Sequence, residues 1–390
     1  MDRRYYNFYD RGHPGSYKLI IVNNSSNKID KIFLGIVLSL VIVGVIMFVS
    51  ASLGILNKNE TKFYGVMASQ LIYGLLGGFV VLYFGLRIPY KFWRAYSLPL
   101  FIGSIIITAL VFVPGLGFEH GGSRRWINVF GFSLQPVEFL KIGFVIYFAA
   151  FLSWVKGKVK DPKWSLLPLI LLLGMITAIL INQPDTKSLI LITATGLVML
   201  FISGTPWKYI MGLFLVAVIA FVILAFTTPY LKSRINTFLN PNQNGSSSSY
   251  QIQQSLIALG SGGIMGRGLG QSIQKFNYLP EPQGDSIFAV VGEEVGFIGS
   301  VFIICLYIAF AMRGYRIAHY APDSFSKLFV IGVVTMLTAQ SFMNIASIIG
   351  VFPLTGVPLV FMSQGGTALL IDIGLMGIVL NISKFQKKTT

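Results

Sequence analysis

IFLGIVLSLVIVGVIMFVSASL, residues 32–53, runs for 22 residues without a charge. A helix rises about 1.5 Å per residue and a bilayer's hydrocarbon layer is about 30 Å thick, so the stretch is long enough to span one. It lacks the two-residue alternation of a strand, and lipid admits only helices or closed barrels. Nine further apolar runs follow, at 66–86, 95–114, 136–156, 165–182, 188–204, 207–227, 286–312, 327–349 and 364–382. With 54% hydrophobic residues, 11% charged residues and a mean hydropathy of +0.72, the chain is too apolar for a soluble core. The expected fold is an all-α integral membrane protein of about ten transmembrane helices. It divides into a tail at 1–31, a membrane domain at 32–383 and a second tail at 384–390.

Charge orients the chain. Twenty of the thirty Lys and Arg residues lie in the termini and the even-numbered gaps between runs. Nine lie in the odd-numbered gaps, and Lys141 falls inside a run. By the positive-inside rule both termini are expected in the cytoplasm. The net charge of +16 needs no nucleic acid, because a basic cytoplasmic face beside anionic lipid accounts for it. The N-terminus has no small-residue cleavage site, so the first run reads as an uncleaved anchor. The lone Cys305 excludes a disulfide framework, and the scattered His13, His120 and His319 have no zinc spacing.

Two outward gaps are long. The first, 115–135, ends in GGSRRWINVFGFSLQ (121–135). The second, 228–285, holds the polar run NPNQNGSSSS (240–249), which reads as a flexible linker. After it YQIQQSLIALGSGGIMGRGLG (250–270) is apolar enough to lie on or dip into the membrane surface before its glycines interrupt it. Gaps this long are functional or disordered, and the mixture of apolar and charged residues favours function. No GK[ST] follows the glycines, which excludes a Walker loop.

Four segments in order carry a resemblance: GGSRRWINVFGFSLQPVEFLK (121–141), QPDTKS (183–188), YQIQQSLIALGSGGIMGRGLGQSIQKFNYLPEPQGDSIFAVVGEE (250–294) and NIASIIGVFPLTGVPLVFMSQGG (344–366). Together they resemble the SEDS family (FtsW, RodA, SpoVE), membrane glycosyltransferases that polymerise lipid II into peptidoglycan strands. The likeness runs to about residue 383, and VVGEE resembles the FtsW and SpoVE branch more than RodA. Three residues depart from the family pattern: Lys187 stands where a glycine is usual, and Val360 and Gln364 replace a proline and a tyrosine. The resemblance implies lipid II and the growing glycan strand as substrates. It also implies a class B penicillin-binding protein as partner, among other divisome or elongasome membrane proteins, at the bacterial cytoplasmic membrane. No tightly bound cofactor is implied; a divalent cation is left open, and the metal requirement is unknown.

Candidate residues follow. Asp285 matches the family's catalytic aspartate, and a single inverting displacement needs one base for the acceptor's 4-hydroxyl. By position alone Asp285 suits the N-cap of the helix that begins after it. Glu281, between Pro280 and Pro282, would hold a cation or a substrate amine, or is simply solvated. Glu293 and Glu294 lie about 12–13 Å further along an ideal helix and point about 100° apart, which suits buried pairing or a wet cavity. Glu138 and Lys141, spaced i, i+3, form an ion pair or leave Lys141 facing a diphosphate, as Arg124 and Arg125 would. Trp126 anchors at the interface or stacks on a sugar. Gln183 and Pro184 shape an outer helix break carrying Asp185, which Lys187 would neutralise. Arg234 matches a family arginine and would contact phosphate, a partner or its own loop. The small Gly365, Gly366 and Thr367 favour close helix packing. A substrate with a polyprenyl tail also calls for a lateral polar cavity, lined by the fourth and eighth runs and the segment before Asp285. Two other classes stay open: a lipid II flippase using Glu138, Lys141 and Glu293, and a non-catalytic scaffold recruiting a transpeptidase.

Overall fold

The computed structural model describes residues 5–6, 20–21, 28–120, 123–129, 132–240 and 247–386. His13 and most of the expected linker, residues 241–246, lie outside them. Nine helices among the described residues are long and apolar enough to cross a membrane. They are α1 (Lys31–Leu56), α2 (Glu60–Arg87), α4 (Pro136–Trp154), α5 (Pro162–Asn182), α6 (Thr186–Ser203), α7 (Trp207–Thr227), α10 (Ile287–His319), α11 (Ser324–Ile348) and α12 (Gly366–Ser383). The third apolar run gives a shorter helix, α3 (Ser97–Ala109). Two further helices, α8 (Pro229–Leu239) and α9 (Ser247–Ser261), lie in the long second gap. Ser247–Ser249, expected as linker, thus begin a helix.

The starts follow local chemistry. Asp30, Asn59, Asp161 and Asp323 accept hydrogen bonds from the first-turn amides of α1, α2, α5 and α11, as N-cap side chains do. Pro136 and Pro162 occupy first-turn positions, where the missing N–H costs nothing. Helices α11 and α12 are the most buried and form the centre of the bundle, whereas α7 is almost wholly outward-facing. Small residues bring α2 against α12: a Cβ on Gly85 would lie 3.1 Å from the Gly377 carbonyl carbon. One on Gly366 would lie 2.4 Å from the Ser69 oxygen. Such contacts let helix backbones approach where lipid gives no hydrophobic drive. Ser69–Leu76 of α2 is a π-helical stretch, and within it Gln70 donates to Ser363 O (3.1 Å) and accepts from Gly365 N (2.9 Å).

One gap and one apolar run differ from expectation. The first outer gap is a three-stranded antiparallel sheet, β1 (Gly117–His120), β2 (Ser123–Val129) and β3 (Phe132–Leu134), in the order β1-β2-β3. Trp126 pairs with Phe118 across it, and Thr367 of α12 donates to Ser133 O (3.1 Å). The eighth run is not one straight helix. Gly296 breaks α10 with φ 67° and ψ −166°, leaving Ile287 to Val295 as a half-helix before the membrane-length remainder. Only glycine enters that backbone region without strain. A Cβ there would also lie 2.3 Å from Gly266 N, so the break is where the glycine-rich turn after α9 docks.

Candidate functional site

The turn leading into α10 places the central acid. Glu281, at φ 46° between two prolines, accepts from Gly284 N (3.0 Å) and Ser286 N (3.3 Å), which closes the turn. Among the described residues its exposed carboxylate accepts only a long bond from Gln283 Nε2, at 3.4 Å. Ser286, not Asp285, is the N-cap residue of α10, and its side chain makes no capping bond. The cap reading of Asp285 is therefore corrected, and its half-buried carboxylate is left to other uses. Its backbone is fixed instead. Gln283 O accepts from Gln364 N (2.7 Å), Gly284 O from Ser363 Oγ (2.8 Å) and Asp285 O from Asn344 Nδ2 (2.8 Å). Three successive carbonyls are held from α11 and from the segment between α11 and α12.

That irregular segment, residues 349–365, forms a strap beside the acid. Irregular backbone survives at membrane depth only when its polar groups are satisfied within the protein. Side-chain donors from four helices provide this. Arg234 of α8 donates to Leu354 O and Lys187 of α6 to Gly356 O. Asn344 and Gln340 of α11 donate to Val357 O (2.7 Å) and Pro358 O (3.2 Å), and Tyr307 of α10 donates to Val360 O. Gly356, at φ +65°, lies beside the acid. A Cβ there would lie 3.0 Å from Asp285 Oδ2 and 3.5 Å from Arg234 Nη2. The acid and two cations therefore surround a single glycine. Val360 and Gln364 act here through their main-chain atoms, so their departure from the family pattern leaves this geometry intact.

The other candidates sort into groups. Arg125 of β2 donates to Gln183 O (3.0 Å) and Pro184 O, and Gln183 donates to Thr108 O (2.8 Å), which ties the sheet to the break before α6. Arg124 stands exposed on the same strand and Trp126 is half-buried. Asp185 is fully buried and caps α6, accepting from Ser188 N (3.4 Å) and Ser188 Oγ (2.9 Å). Lys187 does not neutralise it, as the sequence suggested; the strap takes the ammonium instead.

Glu138 and Lys141 form a buried ion pair at 2.7 Å, and Lys141 also donates to Gln340 Oε1 (2.9 Å). Gln340 therefore connects this pair to the strap. Asp372 of α12, buried and overlooked in the sequence reading, lies within electrostatic range of both ions.

Glu293 and Glu294 are satisfied far from the acid. Glu293 accepts from Ser272 Oγ (2.5 Å), Ile273 N (3.0 Å) and Gln274 N (3.3 Å), with Arg267 at 3.6 Å. Glu294 accepts from Ser50 Oγ and from Lys275 Nζ, both at 2.7 Å. The two carboxylates thus face different partners, as their 100° separation requires.

Asn344, Ser363 and Lys275 lie inside segments that carry the family resemblance but had no role read for them, whereas Gln340, Tyr307 and Gln70 had no signal beyond being polar residues in apolar surroundings. A cavity of about 430 Å³ lies between α2, α3, α4 and α12, with Phe84, Trp93, Leu100, Phe139, Ile142 and Leu375 in its wall. It is apolar and does not include Asp285, unlike the polar cavity expected beside the eighth run. Among the described residues no group of three or more His, Cys, Asp or Glu side chains is placed to hold a metal.

Comparison with known proteins covers nearly the same length. Residues 30–388 match the FtsW/RodA/SpoVE family, described as "Cell cycle protein". The chain is 37% identical over 354 residues to the probable peptidoglycan glycosyltransferase FtsW of Geobacter sp. (strain M18), covering 91% of this chain and 96% of that one. It is 36% identical over 359 residues to the stage V sporulation protein E of Bacillus subtilis (strain 168), covering 92% and 98%. A solved structure described as "Structural coordination of polymerization and crosslinking by a peptidoglycan synthase complex" superposes with a TM-score of 0.74 at 25% identity, covering 93% and 99%. The rod shape determining protein RodA of Thermus thermophilus shares the fold, with a TM-score of 0.66 at 24% identity over 93% and 98%.

Proposed function

This chain belongs to the FtsW/RodA/SpoVE family, and on that footing we propose that it is a peptidoglycan glycosyltransferase with Asp285 as general base. It polymerises lipid II into glycan strands at the outer face of the bacterial cytoplasmic membrane, in cell division. The observation that carries this reading is the convergence of Asp285 Oδ2 and the Arg234 guanidinium on Gly356, whose carbonyl also receives the Lys187 ammonium. An acid and cations side by side suit a reaction that takes a proton at one atom and releases a diphosphate at another.

Asp285 accepts the proton of the acceptor's 4-hydroxyl as that oxygen bonds to the donor's anomeric carbon. The bond from that carbon to the diphosphate oxygen breaks on the opposite face, which inverts the centre. The lipid diphosphate leaves, and nearby cations stabilise its charge. Asn344, Ser363 and Gln364 hold the acid's main chain while this happens, and rigid placement of this kind is a large part of catalysis. The apolar cavity along α2, α3, α4 and α12 suits a prenyl chain. No step in this scheme is routed through a metal ion.

A class B penicillin-binding protein is the partner this reading calls for, with other divisome or elongasome membrane proteins. The relative in a peptidoglycan synthase complex supports that choice. A flippase is less well supported, because Glu138 and Lys141 share one set of contacts and Glu293 another. The test is polymer formation from lipid II by purified protein at matched folded amounts. Asp285→Asn is expected to lower it by about 10²–10⁴-fold, the usual general-base contribution. Normal polymerisation by that variant would refute the reading.

A further inference from the structure

We infer that Lys187 binds the diphosphate of the lipid-linked donor, and that its bond to Gly356 O is where the ammonium rests before the donor arrives. This deepens the polymerase reading and rests on it. Lys187 sits in the first turn of α6, two residues after the cap residue Asp185. That is the positive end of the helix, where a cation is disfavoured and an anion favoured.

No carboxylate pairs directly with the ammonium. Asp185 is committed to Ser188, and among the described residues no ion pair joins Lys187 to an acid. The ammonium is given instead to a neutral carbonyl on the strap. The side chain is half-buried, so it is desolvated in part but reachable. A lysine placed against the helix field, beside a second cation and a base, is arranged for an anion that comes and goes.

The exchange is favourable on general grounds. A bond from the ammonium to a neutral carbonyl has one charged partner, whereas a bond to a phosphate oxygen has two of opposite sign and gains their direct attraction. A phosphate oxygen therefore competes well with Gly356 O for the ammonium. Gly356 is also the strap's point of contact with Asp285 and Arg234, so the released charge stays where the leaving group must be.

Three variants of the full chain separate this role from a simple tether: Lys187→Arg, Lys187→Gln and Lys187→Met. Glutamine retains a donor for Gly356 O but carries no charge; methionine retains neither. Initial rates on lipid II give KM and kcat, and inorganic diphosphate serves as the competing probe. Gln and Met are both expected to raise KM about 10-fold or more, the range for losing one charged hydrogen bond, and to weaken inhibition by diphosphate in parallel. Arginine is expected to recover most of that loss. Wild-type behaviour in the Gln variant would mean a tether only and would overturn the inference. So would a fall confined to kcat, or unchanged inhibition by diphosphate. Failure of the wild-type protein itself to make polymer would instead sink the polymerase reading.

Discussion

Lys275→Met should unfold this protein more readily than any surface substitution, and the buried cluster behind the half-helix sets the size of the effect. The ammonium of Lys275 donates to Glu294 Oε1 (2.7 Å), Gly270 O (2.8 Å) and Ser50 Oγ (3.0 Å). Both charged side chains have 0% exposure, so no water replaces a lost partner. Removing one member of a buried pair leaves the other uncompensated, which costs about 3–5 kcal/mol. For 390 residues, an unfolding entropy of about 2.1 cal/mol/K per residue turns that into a fall in midpoint of at least about 4 °C.

The assay is heating in detergent followed by the fraction still monodisperse, compared with Lys275→Met/Glu294→Leu. If the lost pairing is the cause, the double variant recovers much of the stability, because the stranded carboxylate is gone. A single variant as stable as wild type would refute the argument. So would a double variant no better than the single one, because packing alone would then be responsible.

Two further outcomes follow. Gly356→Ala places a methyl 3.0 Å from Asp285 Oδ2 at a φ of +65°, so polymerisation should fall by at least about 10-fold while folded yield falls little; equal losses in both would count against it. Tyr90 lies in the short helix Tyr90–Ala95 between α2 and α3, and its hydroxyl is pushed up to about 12, first by burial and then by its hydrogen bond to Asp323. Its stabilisation is therefore full below about pH 10 and lost as the pH rises toward 12, so Tyr90→Phe should lower the midpoint at pH 8 and narrow its gap from wild type above pH 11. A constant gap across that range would refute the assignment.

The spans were legible because each requires a long apolar run and little else. The break at Gly296 was not, since one glycine in an apolar helix carries no mark of its backbone angles. What makes it necessary is Gly266, thirty residues earlier and packed against it. Asp285 could be found from the motif around it, but position alone pointed to a cap that Ser286 occupies instead. Its main-chain holders, Asn344 and Ser363, lie 59 or more residues away and are chosen by contacts, not by local pattern. Lys187 was read against its sequence neighbour Asp185, and the fold gave it to a carbonyl 169 residues away.

The half-helix bears on how the protein is made. Ile287 to Val295 carries two carboxylates side by side, a poor candidate for unaided entry into lipid. Lys275 precedes Glu294 by 19 residues, and Ser50 lies earlier still, in α1. A chain threaded from its N-terminus therefore delivers the counter-charge before the acids it must neutralise. The segment after Gly296 can then be handed to the bilayer as an ordinary apolar span, while the half-helix folds back onto partners already in place.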